Sequence, residues 1–174
     1  MEILARRWLQ AQQTLAPSPA NFRRLMSAFN TPHALLERPA SELIQFGVSA
    51  TQLDLLAHAL GRSDHGAVDG MLDIANAELV CWHDEDYPAL LKEIHDAPPL
   101  MYYRGRRELL NQLLFSVVGS RRPSRMGHSD AKAFASALGQ AGFTVVSGMA
   151  LGVDAAAHTG AISTPASTIA VLGT

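Results

Sequence analysis

Apolar residues recur at helical spacing through the first 62 residues of the chain. The first set falls on one helix face and comprises Ile3, Leu4, Trp8 and Leu15. Two pairs, Ser18-Pro19 and Thr31-Pro32, each combine an N-cap residue with a proline suited to the first helical position. The pattern therefore predicts a small all-helical domain over residues 1–62.

A hydrophobic-Gly-hydrophobic turn, Phe46-Gly47-Val48, separates the last two helical patterns of this domain. Turns of this composition occur in helix-hairpin-helix modules, where they present backbone N–H groups to a DNA phosphate. A glycine C-cap that joins two packed helices has the same composition. The second helix begins without a basic residue, which favours the C-cap.

Beyond the polar stretch "GRSDHG", a predicted linker, short apolar runs alternate with helical patterns. The runs "ELVCWH" and "PPLMYYRG" predict two strands, and "LFSVVG", "FTVVSG" and "STIAVLGT" predict three more, separated by two helices. Continuous apolar runs in β-α-β-α-β order indicate a parallel sheet, so residues 63–174 are predicted to form a Rossmann-like α/β domain. Three strands are only part of such a sheet, and we expect it to be incomplete and to expose the edge of "LFSVV".

Composition restricts the possible function. The 174 residues are 48% hydrophobic with a formal net charge of −2, so any anion site must be local. The single cysteine, Cys81, excludes an internal disulfide and a Cys-rich metal cluster, and we expect it to be a buried strand residue. No apolar run approaches the roughly 20 residues of a membrane helix, and no secretory signal is visible. We expect a cytoplasmic protein without membrane contact, metal or cofactor.

Two glycine-containing turns follow the first two strands of the predicted parallel sheet. Ligands of such sheets lie at the carboxyl ends of the strands, where helix N-termini favour anions. The first turn, "GSRRPSRMG", supplies the candidate phosphate-binding residues Gly119, Ser120, Arg121, Arg122, Ser124, Arg125 and Gly127. The second, "SGMALGVD", supplies the candidates Ser147, Gly148 and Gly152. No catalytic residue is predicted.

Motifs that are missing from the turns exclude some classes of phosphate ligand. A dinucleotide site needs G-x-G-x-x-G and an acid after the second strand, and a P-loop needs G-x-x-x-x-G-K-[ST]; the chain has neither pattern. Three arginines in one loop suit a nucleic-acid backbone with several phosphates better than one small cofactor. Their alternative role is that of solvated loop charges.

Three stretches, "VVGSRRPSRMG", "GFTVVSGMALGVDAAAHTGAI" and "STIAVLGT", resemble the DNA-processing protein A family, also called Smf, in order and spacing. The lead-in "WHDEDYPALLKEIHDAPPLMYYRG" is similar to that family as well. The resemblance implies a non-enzymatic single-stranded DNA-binding protein that protects incoming DNA and loads the RecA recombinase in natural transformation. It also implies a homodimer in the full-length protein and a sterile-alpha-motif-like (SAM-like) fold for the N-terminal helices.

The family's G-S-R turn falls on Gly119, Ser120 and Arg121, and residues matching Arg121 line a basic pocket for the DNA backbone in that family. Many members have an arginine where this chain has Leu151. By this resemblance, binding is expected to rely more on the first loop. The other matching positions are Ser124, Gly127, Ser147, Gly148, Ala150, Gly152, Val153, Asp154, Ala157 and His158.

Several other residues have two interpretations. Asp154 and His158 lie one helical turn apart, as a metal pair would, although an N-terminal cap and a packed histidine are favoured. The acidic turn "WHDED" needs no metal to explain it. Aromatic residues that either stack bases or fill strand faces are Trp82, Tyr87, Tyr102 and Tyr103. A second basic cluster, either functional or ordinary surface, comprises Arg104, Arg106 and Arg107.

Two rival functions stay open. Rossmann-like nucleotide-processing enzymes of the phosphoribohydrolase type also place a glycine-arginine turn against a phosphate, but their P-G-G-x-G-T-x-x-E signature is not in this chain. A protein-interaction module with the helical domain as its partner site is the other rival.

Overall fold

The computed structural model describes residues 2–61 and 66–173. Residues 62–65, which hold most of the predicted linker and the predicted boundary between residues 62 and 63, lie outside the described residues. The chain divides into two compact units, the first ending at Gly105 and the second beginning at Arg106. Among the described residues, no helix has the length and apolar character needed to cross a membrane.

The first unit is mainly helical. Its helices are α1 (Glu2–Leu15), α2 (Pro19–Ala28), α3 (His33–Leu36), α4 (Ala40–Leu43), α5 (Ala50–Gly61), α6 (Gly66–Ala75) and α7 (Ala89–Lys92), with a 3₁₀ turn at Ile44–Phe46. Strands β1 (Glu78–Cys81) and β2 (Leu100–Tyr103) pair antiparallel in this unit. The predicted N-cap of α2 is confirmed, because the Ser18 hydroxyl oxygen accepts a hydrogen bond from the Asn21 N–H at 3.3 Å.

The turn at Gly47 closes on its own helix. Gly47 has a left-handed φ of +74° and donates its N–H to the Ile44 carbonyl at 2.8 Å. The Val48 N–H donates to the Leu43 carbonyl at 3.2 Å. Both amides that a helix-hairpin-helix turn would present to a phosphate are therefore used inside the protein, as a glycine C-cap requires.

One apolar core holds the first unit together. Its fully buried side chains include Trp8, Leu15, Phe22, Leu25, Leu35, Leu43 and Leu56. Leu79 and Cys81 of β1 belong to the same core. The hairpin therefore packs with the helices, whereas its apolar runs predict two strands of the Rossmann-like domain. Apolar runs identify a strand, but they do not identify the surface on which it packs.

Cys81 is buried as predicted. Its N–H donates to a carboxylate oxygen of Asp84 at 3.1 Å, and Asp84 is itself buried. Burial raises the pKa of the Cys81 thiol to about 11, and the charge of Asp84 acts in the same direction.

The second unit has the predicted β-α-β-α-β order. It contains β3 (Leu114–Ser116), α8 (Arg125–Gln140), β4 (Thr144–Ser147), α9 (Val153–Ala161) and β5 (Thr168–Ala170). The strands form a parallel sheet in the order β3-β4-β5, in which Val145 lies opposite both Phe115 and Thr168. Because the strand order advances in one direction, two right-handed crossovers place both helices on one face of the sheet. The predicted Rossmann-like parallel sheet is confirmed.

Small residues let α8 and α9 approach closely. The buried core between these helices and the sheet comprises Ala135, Val145, Ala157 and Ala161. A Cβ at Gly160 would overlap the carbonyl of Lys132 on α8, and a Cβ at Gly139 would overlap the side chain of Thr164. The helix pair therefore depends on glycine where the two backbones meet.

Strand β3 is exposed along its length. Its Phe115 side chain is 40% accessible, although it contacts Phe134 and Phe143 edge to face. Parallel strands are usually covered on both faces. Within the described chain β3 has β4 as its one neighbour, which leaves the exposed edge that the sequence predicted.

We expect the change Gly160→Ala to lower the free energy of unfolding of the second unit by about 1–3 kcal/mol, because the new methyl group would push α8 and α9 apart. Urea denaturation measures this loss. Gly70→Ala is the control, since Gly70 lies in α6 with open space at its Cβ position, and it should be neutral or stabilising by up to about 1 kcal/mol. Equal effects of the two changes would contradict the close contact.

Candidate nucleic-acid interface

The two glycine-containing turns touch at the carboxyl edge of the parallel sheet. The Val153 N–H donates to the Ser120 carbonyl at 3.1 Å. Gly152 has a φ of +87°, and a Cβ there would overlap the carbonyl oxygen of Ser120. A Cβ at Gly119 would lie 2.9 Å from a methyl carbon of Val153. Both glycines are thus required for the turns to meet, and the structure brings together predicted residues from each turn.

The first turn ends in a capped helix N-terminus. The Ser124 hydroxyl oxygen accepts the Gly127 N–H at 3.0 Å, which accounts for both residues as parts of an N-cap. The amides of Arg125 and Met126 are the ones that an α-helix leaves without an intrahelical acceptor. They are available to an anion at the start of α8.

The turn that contains these amides is rich in polar and charged residues. The Ser120 hydroxyl oxygen accepts the Arg122 N–H at 3.0 Å, and because Ser120 is exposed its hydroxyl can donate a proton to a ligand. Arg121, Arg122 and Arg125 are exposed, and none of them pairs with a carboxylate among the residues that the structure describes. The first turn of α8 contains no acidic residue. Helix dipole, amides and guanidinium groups therefore all favour a negative charge here.

The second turn offers less to an anion because its polar groups bind one another. The Val153 N–H is used by Ser120, and the Ala155 N–H donates to the Ala150 carbonyl at 3.1 Å. Asp154 is buried in the first turn of α9, where its carboxylate accepts the Ala150 N–H at 3.4 Å. A negative charge thus already occupies this helix N-terminus. The favoured interpretation of Asp154 as the N-terminal cap is wrong, because the N-cap is Gly152 and the Asp154 carboxylate binds an amide that precedes the helix.

The predicted residues of the second turn mainly hold its shape. Ser147 is buried and donates its hydroxyl proton to the Val117 carbonyl at 2.6 Å, which ties the ends of β3 and β4 together. A Cβ at Gly148 would lie 3.1 Å from the Asp154 carboxylate. The tip of the turn is apolar, since Met149 and Leu151 are exposed. Sequence spacing alone did not distinguish these supporting roles from phosphate contacts.

His158 is accounted for by a hydrogen bond across α9 and β5. Its Nδ1 lies 2.8 Å from the Thr168 hydroxyl, which itself donates to the Val145 carbonyl at 2.7 Å. The imidazole must therefore donate from Nδ1, and its buried Nε2 has no partner among the described residues. Burial lowers the pKa of His158, and the nearby Asp154 charge opposes that shift.

The aromatic candidates differ in exposure. Tyr87 is buried and donates its hydroxyl to the Pro98 carbonyl at 2.6 Å, and burial raises its pKa to about 12. Tyr103 donates to Glu78, and Tyr102 is 51% exposed. Trp82 is half-buried with its ring against Tyr87. Tyr87 therefore fills the interior of the first unit, whereas Trp82 is partly accessible.

Comparison with known proteins decides the family. The sequence model of "DNA recombination-mediator protein A" matches residues 78–174, which is more than half of the chain. The chain belongs to the DNA recombination-mediator protein A family. The matched segment includes both glycine turns, so the resemblance noted in the sequence is confirmed. The phosphate-binding roles assigned to individual residues stay predictions.

Sequence alignments with relatives in this family cover about half of this chain. "Protein Smf" of Synechocystis is 43% identical over 103 residues, or 57% of this chain and 26% of that protein. "DNA processing protein DprA" of Streptococcus pneumoniae is 42% identical over 91 residues, or 52% of this chain and 32% of that protein. The chain thus spans about a quarter to a third of the curated relatives that it matches.

The fold is shared with a solved structure of the DNA recombination-mediator protein A family. The X-ray structure of DNA processing protein A from Streptococcus pneumoniae superimposes with a TM-score of 0.75 and 24% identity. The superposition covers all of this chain and 59% of that one. At this identity the likeness supports the fold, including its helical N-terminal part.

Replacing Ser147 and Ser120 in turn should distinguish a serine that stabilises the fold from one that is available to a ligand. Ser147→Ala removes a buried hydrogen bond and leaves the Val117 carbonyl without its donor, so we expect about 1–3 kcal/mol less stability by urea denaturation. Ser120→Ala, which removes an exposed hydroxyl, should cost less than about 0.5 kcal/mol. The reverse order of effects would contradict the roles assigned here.

His158 predicts a pH dependence of stability. Because burial lowers its pKa in the folded protein, the unfolded chain binds the proton more readily between the folded pKa and the ordinary value of about 6.5. Its contribution is therefore fully present above pH 6.5 and is lost as the pH falls through the folded pKa. We expect unfolding free energies measured at pH 7.5 and 5.5 to differ less in His158→Gln than in the unaltered chain. An identical difference would contradict this assignment.

Proposed function

We propose that this chain acts in the cytoplasm as the single-stranded DNA-binding part of a recombination mediator. The observation that carries the proposal is the turn that leads into α8, which combines the first amides of the helix, the Ser120 hydroxyl and three exposed arginines that pair with no carboxylate among the described residues. These groups bind phosphate oxygens and carry no base preference. Binding should therefore depend strongly on salt and little on sequence.

The two turns have different parts in the proposed site. Arg121, Arg122 and Arg125 supply the charge, while Gly119 and Gly152 let the second turn support the first. The chain as a whole has a net charge of −2, so its attraction for DNA must come from this local cluster rather than from its total charge.

Single-stranded DNA is favoured over duplex by the apolar rim of the site. Val118, directly before the first turn, is 72% exposed, and Met149 and Leu151 of the second turn are 63% and 78% exposed. Unpaired bases present apolar faces that such side chains can cover, whereas the bases of a duplex are stacked on each other. Arginines beside an apolar rim thus suit a flexible strand.

Family membership supports the finer part of the proposal. A recombination mediator works by passing bound DNA to a recombinase, and we propose RecA as that partner and a homodimer as the assembly of the full-length protein. The proposed activity is binding without turnover. This chain's part in it is to hold the phosphate backbone.

The double change Arg121→Ala and Arg125→Ala should weaken binding of an oligo-dT strand and reduce the salt dependence. The slope of log K against log salt is negative, and each lost phosphate contact should reduce its magnitude by about 0.7. Fluorescence anisotropy of labelled dT at several salt concentrations measures both quantities. Lys132→Ala is the matched control, since it removes an exposed charge from the same helix but away from its N-terminus.

An unchanged salt slope in the double variant would overturn the assigned site. Competition with AMP provides a second arm: a strand held by several phosphates should be displaced poorly by one nucleotide. Efficient displacement, or release of a free base from AMP, would instead support the phosphoribohydrolase-type enzyme.

A further inference from the structure

A second basic site lies in the first unit, away in sequence from the two glycine turns. An open groove of about 430 Å³ lies there, within the range of roughly 300–1,000 Å³ typical of ligand pockets. Its lining combines cationic, aromatic and small residues and comprises Arg23, Arg24, Ser27, Ala28, Phe46, Trp82, Lys92 and Ile94. None of these lining residues is acidic.

Two of the three cations that line the groove are positioned by aromatic rings. The Arg24 guanidinium carbon lies 5.2 Å from the centre of the Phe46 ring, and Arg24 also donates to the Gln45 carbonyl at 3.3 Å. The Lys92 ammonium lies 5.7 Å from the Trp82 ring centre and 5.3 Å from the Tyr87 ring centre. These contacts hold the charges in place without neutralising them.

Charge and ring chemistry together indicate the occupant. Three cations from α2 and α7 in an acidic chain attract an anionic backbone. Trp82 and Phe46 are half-buried, so each is held by the core while part of its surface faces the groove. Cationic grooves with aromatic side chains bind single strands, in which phosphates meet the charges and bases stack on rings or guanidinium planes.

We propose that this groove is a second contact for single-stranded DNA, with Arg23, Arg24 and Lys92 on phosphates and Trp82 beside a base. The proposal rests on the proposed function, since it assigns a second contact for the same class of ligand. An acidic protein segment would use the charges but gain nothing from the aromatic surfaces. The groove would raise the affinity for single-stranded DNA without any sequence preference.

Trp82 makes the proposal measurable. Of the two tryptophans in the chain, Trp8 is fully buried and Trp82 is half-buried in the groove lining. Unlabelled dT20 should therefore quench tryptophan fluorescence over the same concentration range in which anisotropy reports binding. Trp82→Phe should bind with the quenching removed.

Charge removal tests the groove independently of the arginine loop. The double change Arg23→Ala and Lys92→Ala should reduce the magnitude of the salt slope for dT20 by about 1.4, because each lost phosphate contact accounts for about 0.7. Arg38→Ala is the matched control, because Arg38 is an exposed cation of the same unit outside the groove. Circular dichroism and urea denaturation of each variant check that the unit stays folded.

The outcomes separate the two sites. Loss of binding in the Arg121 and Arg125 variant, with no quenching and an unchanged slope in the groove variant, would overturn the groove and leave the proposed function standing. A weakened groove variant beside an unaffected loop variant would support the groove and overturn the loop. Quenching by polyglutamate but not by dT20 would assign the groove to an acidic protein and overturn the proposal. Absence of any dT20 binding would overturn both sites.

Discussion

The hydrogen bond from the Val153 N–H to the Ser120 carbonyl is the contact on which the candidate interface depends. It exists because Gly152 adopts a left-handed φ and because neither Gly119 nor Gly152 has a side chain in the way. The bond uses an amide that would otherwise attract an anion at α9. The same contact therefore closes one helix N-terminus and supports the loop that leads to the other.

Two turns of similar composition thus have different chemistry. At α8 the N-cap is a neutral serine and the neighbouring charges are positive, whereas the N-cap of α9 is Gly152 and a buried aspartate lies in the first turn of that helix. The dipoles of α8 and α9 both favour a negative charge at the helix N-terminus. The difference lies in the protein groups that already interact with each N-terminus. An anion arriving at this edge meets one open helix N-terminus and one that is already neutralised.

Local signals in the sequence predicted much of this arrangement. The order of strands and helices, the N-cap at Ser18 and the glycine turns all depend on residues close together in the chain. Contacts between distant residues were not predictable in the same way. The Ser147 hydroxyl finds the Val117 carbonyl 30 residues earlier, and β1 packs onto helices that precede it by many residues. Spacing places a residue on a turn, but only the fold shows whether its polar atom points outward.

The buried cysteine has a practical consequence. With its pKa near 11, the Cys81 thiol stays protonated near neutral pH, and the reactive species in alkylation and oxidation is the thiolate. Because Cys81 sits in the same core as Trp8, a thiol reagent can reach it only when that core opens. The rate of labelling thus reports opening of the first unit alone. The second unit contains no cysteine and gives no signal in such an experiment.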